Sequence, residues 1–120
     1  DGYVRIVGRA KDLVITGGYN VYPKEVELLL DEVPGVAESA VIGVPHPDFG
    51  EAVLAVLVAQ KGAAPEPAAV LAAIAGQLPR FKQPKAAVVV DSLPRNTMGK
   101  VQKNVLREAY KGWFVGKGEI

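Results

Sequence analysis

Prolines and glycines cut this chain into short segments, and the apolar period within each segment predicts its structure. Apolar and polar residues alternate in GYVRIVGR, and again in DLVIT and YNVY, which is the period of β-strands. Gly17-Gly18 stands between the last two segments. Paired glycines favour a tight hairpin because they accept positive φ without a steric penalty. The chain is therefore predicted to begin with strands, and residues 12–16 and 19–22 are predicted to pair.

Three later segments have the period of a helix. Pro23 stands at a favoured first helical position, and the segment after it has apolar residues at i, i+3, i+4 and i+7 until Pro34-Gly35 ends it. A second helix is predicted in the alanine-rich segment that ends at Pro79. The third is predicted in KNVLREAYK.

Three further segments are typical of strands: VAESAVIGVP, EAVLAVLVAQ and AAVVVD. The two prolines of PHPDFGE predict an irregular loop between the first two of them. Strands thus follow one another before helices recur, and this order is typical of an α+β fold. We expect a small mixed or antiparallel sheet with an N-terminal hairpin and about three helices packed on it.

A length of 120 residues with 49% apolar composition indicates one domain with a buried core. We assign residues 1–111 to this domain. Residues 112–120 have no clear period and are interpreted as a tail that is either loosely held or foreign to the native protein. Because the first residue is Asp and not Met, we expect the chain to be a piece of a longer protein or a processed one.

The composition excludes several kinds of site. There is no cysteine, so disulfides and thiolate metal sites are excluded. His46 is the only histidine, which argues against a histidine zinc site and a Ser-His-Asp triad. No apolar run approaches the ~20 residues of a membrane span, and no signal peptide is evident. We therefore expect a cytoplasmic protein with no metal ligands in this segment and no membrane partner.

Charge is distributed unevenly along the chain. Residues 1–79 carry five basic and ten acidic side chains, a balance of −5, whereas residues 80–120 carry nine basic and three acidic side chains, a balance of +6. The basic C-terminal third is either a solvated face or a surface that meets an anion.

Two motifs resemble those of one enzyme superfamily. GRAKDLVITGGYNVYPKEVE, residues 8–27, resembles the hinge-side motif of the AMP-forming adenylating enzymes, which include acyl-CoA synthetases. LPRNTMGK, residues 93–100, resembles the C-terminal lysine motif of the same superfamily, and VIGVPHPDFGEAVLAVLV lies between them as it does there. The resemblance covers roughly residues 1–111. Within the superfamily the two motifs are most similar to malonyl-CoA synthetases.

The resemblance implies a two-step reaction. A carboxylate attacks the α-phosphate of ATP to give an acyl-adenylate, and the thiol of CoA then displaces AMP. A large N-terminal domain would hold most of the substrate pockets and the Mg²⁺ that accompanies ATP. This chain would be the small C-terminal domain, which rotates between the two steps. Alone, it is expected to be inactive.

The resemblance also implies roles for single residues. Lys100 would be the catalytic lysine of adenylation and a nucleotide-binding residue; Gly99 would let its loop approach the ligand. Arg9 would contact the ribose of ATP, and Asn20 falls at a position that often faces the nucleotide phosphate. Lys11 falls at the hinge position.

A second group of residues would meet CoA. Gly17 and Gly18 match the glycines that line the channel for the pantetheine arm. In PRFKQPK, Phe81 would lie against the adenine and Lys85 would meet a phosphate, with Lys82 as the alternative cation.

The sequence around Lys100 also resembles the sites at which bacterial acetyltransferases modify acyl-CoA synthetases. Acetylation would remove the charge of the lysine. The partners expected are thus the N-terminal domain, ATP, CoA, a small carboxylic acid, and a lysine acetyltransferase with its deacetylase.

Three alternatives remain at the level of sequence. The acid could be another short or medium carboxylic acid. The basic third could bind nucleic acid, although few aromatic residues are present for base stacking and Gly17-Gly18 is not a Gly-x-x-Gly clamp. Finally, the domain could mediate interactions without a catalytic part. We expect no nucleic-acid partner.

Overall fold

The computed structural model describes residues 13–48 and 50–114. The predicted α+β fold is confirmed: a two-stranded hairpin and a three-stranded mixed sheet are packed with three helices. The first predicted strand, within residues 2–9, lies outside the described residues. In chain order the elements are β1 Val14–Thr16, β2 Tyr19–Val21, α1 Pro23–Leu30, β3 Val36–His46, β4 Gly50–Ala59, α2 Pro67–Ala75, a 3₁₀ turn at Arg80–Lys82, β5 Ala86–Val90 and α3 Lys103–Tyr110.

The hairpin turns at the paired glycines, as predicted. Gly17 and Gly18 have φ values of 60° and 87°, so both central residues of the turn are left-handed, as in a type I′ turn. Thr16 pairs with Tyr19 across the turn. Any side chain at either glycine would strain this geometry.

The three-stranded sheet has the order β3-β4-β5. β3 and β4 are antiparallel, with Val41 opposite Ala55. β4 and β5 are parallel, with Val56 opposite Val88. A parallel pair needs a long crossover, which α2 supplies. The sheet is therefore mixed.

The prediction of an irregular loop from the prolines of PHPDFGE is wrong at its two ends. β3 continues through Pro45 and His46, which pair with Glu51 and Gly50. A proline lacks the N–H that a central strand needs, but β3 lies at the edge of the sheet, where that N–H is not required.

β4 is buried on both sides, since its residues 52–57 are all at most 1% exposed. Successive side chains in a strand point to opposite faces of the sheet. One set packs into a first cluster that covers one face of the sheet, and the alternate set packs into a second cluster on the other face. The first cluster contains Val14, Val21, Val26, Leu30, Val36, Val41, Val53, Ala55, Leu57, Val70, Ile74 and Leu78. The second contains Ala40, Ile42, Val44, Leu54, Val56, Leu93 and Leu106.

The elements outside the sheet divide between these two faces. The hairpin, α1 and α2 contribute to the first cluster, and α3 contributes Leu106 to the second. Trp113 and Phe114, at the start of the predicted tail, also pack against the second cluster. Residues 115–120 lie outside the described part of the chain. No helix in the described ranges has the length and apolarity that crossing a bilayer requires.

Candidate functional site

The loop that carries Lys100, residues 93–102, is closed by its own hydrogen bonds. We call it the lysine loop. The Oδ1 atom of Asn96 accepts hydrogen bonds from the backbone N–H groups of Met98 and Lys100, at 2.9 and 3.0 Å. The N–H of Asn96 donates to the carbonyl of Lys100 at 3.0 Å. Gly99 has a φ of 83°, which allows the chain to reverse immediately before the lysine. The conformation of the loop is therefore set mainly by Asn96 and Gly99.

Lys100 itself is exposed to solvent. Among the described residues, none forms an ion pair with its ammonium group. By contrast, Arg95 in the same loop is engaged twice: its Nη1 donates to the carbonyl of Gly99 at 2.7 Å, and its Nη2 pairs with the carboxylate of Glu38 on β3. In this loop the arginine side chain is therefore held by two contacts, whereas the lysine side chain extends into solvent.

Both ends of the lysine loop are attached to the second face of the sheet. Leu93 is 6% exposed and belongs to the second cluster, and Val101 packs against the same cluster. α3 begins two residues after Val101, and its first residue, Lys103, forms an ion pair of 2.6 Å with Glu27 of α1. Glu27 also accepts the backbone N–H of Val41 at 2.8 Å. This contact joins α1, on the first face, to α3, on the second, around the edge strand β3.

A cavity of about 590 Å³ lies beside the glycine turn, on the first face of the sheet. We call it the glycine-turn cavity. It is lined by Thr16, Gly17, Tyr19, Arg80, Phe81 and Lys85.

The 3₁₀ turn shapes one wall of this cavity. Phe81 stacks on Tyr19 of the hairpin, with ring centroids 4.6 Å apart and an interplanar angle of 24°. Lys82, the next residue, is turned to Glu25 of α1, and its Nζ lies 3.0 Å from the carboxylate. Lys85 is held by its backbone N–H, which donates to the carbonyl of Val53 at 2.8 Å. The cavity therefore combines an aromatic pair with two cationic side chains, Arg80 and Lys85.

The sequence-predicted CoA residues largely come together here. Gly17, Phe81 and Lys85 all line the glycine-turn cavity, and Gly18 completes its turn. Lys82, the alternative cation, does not line it.

The sequence-predicted nucleotide residues do not form one pocket within the described chain. Asn20 is exposed on β2, in the hairpin that packs on the first face, whereas the lysine loop packs on the second. Arg9 and Lys11 lie outside the described residues.

Sequence reasoning missed several residues of both regions. Tyr19, Thr16 and Arg80 line the cavity but were not singled out. The signal for Tyr19 was its place directly after Gly17-Gly18, and that for Arg80 was its place beside Phe81. Arg95 and Asn96 were missed as well, although an Asn directly before an exposed turn is typical of a side chain that accepts a backbone N–H two residues ahead.

Within residues 13–48 and 50–114, no group of three or more histidine, aspartate or glutamate side chains is arranged to hold a metal ion. A metal site built from the described residues alone is therefore not evident.

A family model matches residues 25–100, and its description is "AMP-binding enzyme C-terminal domain". The matched range begins in α1 and ends at Lys100. It therefore includes the whole three-stranded sheet, the 3₁₀ turn and most of the lysine loop.

Curated relatives are similar over almost the whole chain. A 3-[(3aS,4S,7aS)-7a-methyl-1,5-dioxo-octahydro-1H-inden-4-yl]propanoyl:CoA ligase from Rhodococcus jostii is 53% identical over 110 residues, which are 92% of this chain and 21% of the relative. An indoleacetate–CoA ligase from Aromatoleum aromaticum is 43% identical over 108 residues, covering 90% of this chain and 21% of that protein. The chain thus spans about a fifth of the length of the curated relatives it matches.

Solved structures agree with the sequence comparisons. The crystal structure of apo MatB from Rhodopseudomonas palustris superposes with a TM-score of 0.85 at 66% sequence identity, covering 88% of this chain and 21% of that one. A Mycobacterium tuberculosis fatty acyl CoA synthetase superposes with a TM-score of 0.78 at 41% identity, covering 85% of this chain and 20% of that one.

Proposed function

Because the chain belongs to the family of AMP-binding enzyme C-terminal domains, we propose that it is the C-terminal part of an AMP-forming acyl-CoA ligase. The relatives that it matches are about five times longer and include several CoA ligases that differ in the acid they name. ATP, CoA and a carboxylic acid are the proposed substrates. The remaining four-fifths of such an enzyme would supply the N-terminal domain with which this chain works.

The proposed reaction has two steps. In the first, a carboxylate oxygen attacks the α-phosphorus of ATP, the bond to the pyrophosphate breaks, and acyl-AMP forms. In the second, the sulfur of CoA attacks the acyl carbon, the bond to the AMP oxygen breaks, and AMP leaves. The proton of the thiol is released as the thioester forms.

One observation carries the proposal: the two candidate regions lie on opposite faces of the sheet. The lysine loop packs on the second cluster through Leu93, and the glycine-turn cavity adjoins the first cluster through Phe81. A small domain built in this way can present one face for adenylation and, after rotating, the other for thioester formation. The two regions never need to meet within the chain.

Lys100 suits the first step. Negative charge gathers where the carboxylate meets the phosphoryl group, and a fixed ammonium there stabilises the transition state. Lysine is a compact point charge on a long stem, so it can bridge oxygens of both reactants. Its side chain is exposed and its backbone is fixed by Asn96, which leaves the ammonium available to a ligand from another domain.

The glycine-turn cavity suits the second step. CoA presents an adenine, several phosphates and a narrow pantetheine arm. Phe81 offers a π-face for the adenine, and Arg80 and Lys85 offer cations for phosphates. Gly17 and Gly18 leave the turn without side chains where a narrow arm would pass.

Other assignments rest on the sequence resemblance. We propose that Arg9 and Asn20 contact the nucleotide, that Lys11 is the hinge, and that malonate is the acid. On the same resemblance, we assign the Mg²⁺ that accompanies ATP to the N-terminal domain. We assign the enzyme to the cytoplasm, where ATP and CoA are supplied.

We also propose that Lys100 is a site of reversible acetylation by a lysine acetyltransferase. Its exposure makes the ammonium accessible, and acetylation would remove the charge that adenylation needs. Full activity of the stoichiometrically acetylated enzyme would contradict this proposal.

The test of the function compares the full-length enzyme with its Lys100→Ala variant. We expect acid-dependent ATP–pyrophosphate exchange to fall about a hundredfold to a thousandfold, as when one donor to a developing negative charge is removed. Thioester formation from preformed acyl-AMP should keep its rate, since that step uses the other face.

The matched control is Lys111→Ala, which removes an exposed lysine at the end of α3, outside the lysine loop. It should leave both half-reactions unchanged. If Lys100→Ala also left both unchanged, the lysine loop would be a simple connection and the domain would act through interactions alone.

A further inference from the structure

The lysine loop contains a second cation, Arg95, that the proposed function does not use. Its guanidinium bridges two groups: the carbonyl of Gly99, at 2.7 Å from Nη1, and the carboxylate of Glu38. The carbonyl of Gly99 belongs to the peptide bond that joins it to Lys100. Arg95 therefore holds the backbone immediately before the catalytic candidate.

The other partner of Arg95 belongs to the sheet. Glu38 lies on β3 and pairs with Val58 of β4, which packs against the second cluster. Arg95 thus connects the tip of the lysine loop to the same face on which the loop rests. An arginine can do this because its planar guanidinium offers separate donors to two acceptors. A lysine has a single nitrogen and bridges two separated acceptors less well.

The other contacts described for the lysine loop do not attach its central residues to the sheet, whereas the bridge made by Arg95 does. The bonds of Asn96 fix the internal shape of the loop, and Leu93 and Val101 fix its two ends. Among the side-chain contacts described for residues 95–100, the pair of Arg95 and Glu38 joins the loop to the sheet. Without it the loop can tilt about its ends, and the bonds within the loop, one of which Arg95 itself makes to Gly99, open more often.

Building on the function proposed above, we propose that Arg95 is a positioning residue for Lys100 and that Glu38 is its anchor. Arg95 does not touch the substrates. It limits the tilt of the loop so that the ammonium of Lys100 meets the reacting oxygens. Small misplacements of a catalytic group can lower a rate by as much as about a hundredfold.

The test uses the full-length enzyme with Arg95→Ala, Arg95→Lys and Glu38→Gln. For Arg95→Ala we expect the kcat of ATP–pyrophosphate exchange to fall about tenfold, within the range for a displaced catalytic group. The KM for ATP should change less than twofold, and the thioester step should keep its rate. Arg95→Lys should give an intermediate loss. Adding Glu38→Gln to Arg95→Ala should cause no further loss, since both changes break the same bridge.

A second measurement does not depend on activity. Hydrogen exchange of the backbone amides in residues 96–100 should be faster in Arg95→Ala than in the unaltered enzyme, whereas exchange in β4 should be unchanged. Lys111→Ala is the control and should alter neither region. If Arg95→Ala does not fold, Arg95→Lys and Glu38→Gln carry the same test.

Three results would overturn the proposal. Slower adenylation with unchanged amide exchange would mean that Arg95 contacts a substrate directly. Faster amide exchange with full adenylation would mean that the tilt of the loop is irrelevant. Equal loss of both half-reactions with faster exchange throughout β4 would indicate a general loss of stability. The function itself is judged separately, by Lys100→Ala, whose result does not depend on Arg95.

Discussion

At Gly43 a single added carbon would collide with the hairpin. A Cβ there would lie 2.8 Å from Cγ1 of Val14 and 3.2 Å from Cδ of Glu51. Glu51 also accepts the backbone N–H of Ile15 at 3.0 Å. The absence of a side chain at Gly43 therefore lets the hairpin approach the sheet, and this approach sets one wall of the glycine-turn cavity.

We predict that Gly43→Ala destabilises the domain by about 1–3 kcal/mol, the usual cost of forcing extra carbon into a packed site. Urea unfolding would measure it. Gly76→Ala is the matched control, because Gly76 has a φ of −74° and the added carbon would meet no atom within 4 Å beyond its own chain neighbours. It should not lose stability. Equal stability of the two variants would mean that the hairpin is free to move away.

Phe81 is the residue for which the CoA assignment makes the sharpest prediction. Stacking of a base on an aromatic ring contributes about 1–3 kcal/mol, so Phe81→Ala should weaken CoA binding about fivefold to a hundredfold. The KM for CoA in thioester formation would measure the effect. Leu28→Ala is the control, since Leu28 is an exposed apolar residue of α1 that does not line the cavity. An unchanged KM for CoA in Phe81→Ala would mean that the adenine of CoA does not bind in this cavity.

Among the elements, the edge strand β3 lies where the helices on the two faces of the sheet are connected to each other. Its Val41 N–H and the ammonium of Lys103 share the carboxylate of Glu27, whose side chain is 15% exposed. Ser39, two residues earlier, donates to Asp31 at the end of α1 at 2.7 Å. These contacts occupy the open side of β3 and connect α1 with α3.

We predict that Glu27→Ala lowers the free energy of unfolding by about 2 kcal/mol, because it removes the acceptor of the Val41 N–H in β3 and one ion pair of Lys103. Thermal unfolding would measure the loss. Glu108→Ala, which breaks the exposed pair with Lys111, should leave the midpoint unchanged. If both variants had the same midpoint of thermal unfolding, the carboxylate of Glu27 would contribute no more to stability than an exposed surface charge.

Sequence reasoning predicted the elements better than their contacts. The hairpin at Gly17-Gly18 and the helix starting at Pro23 were predictable because turn geometry and helical period act within a few residues. The extension of β3 through Pro45 was not, since it depends on β3 lying at the edge. The contacts of Glu27 with Lys103 and of Tyr19 with Phe81 join residues far apart in the chain, so no local pattern encodes them.

For the molecule as a whole, the sheet separates two regions that the proposed reaction uses in turn. The lysine loop lies on one face, and the glycine-turn cavity lies on the other. Damage to one region should therefore leave the other intact. Combining Lys100→Ala with Phe81→Ala should lower adenylation as much as the first change alone and raise the KM for CoA as much as the second alone. Larger combined effects would mean that the two faces influence each other.

The parallel pairing of β4 with β5 has a consequence for the chain as it is synthesised. β4 contains VLAVLVA, an uncharged run of strand-forming residues that would readily join a foreign strand. Its first neighbour, β3, is already made when β4 emerges, but its second neighbour starts only after residues 60–85 have been added. At ordinary rates of translation this takes about 1–5 seconds. During that interval one side of the most buried strand of the finished molecule is open to aggregation, and a chaperone or prompt completion of β5 would protect it.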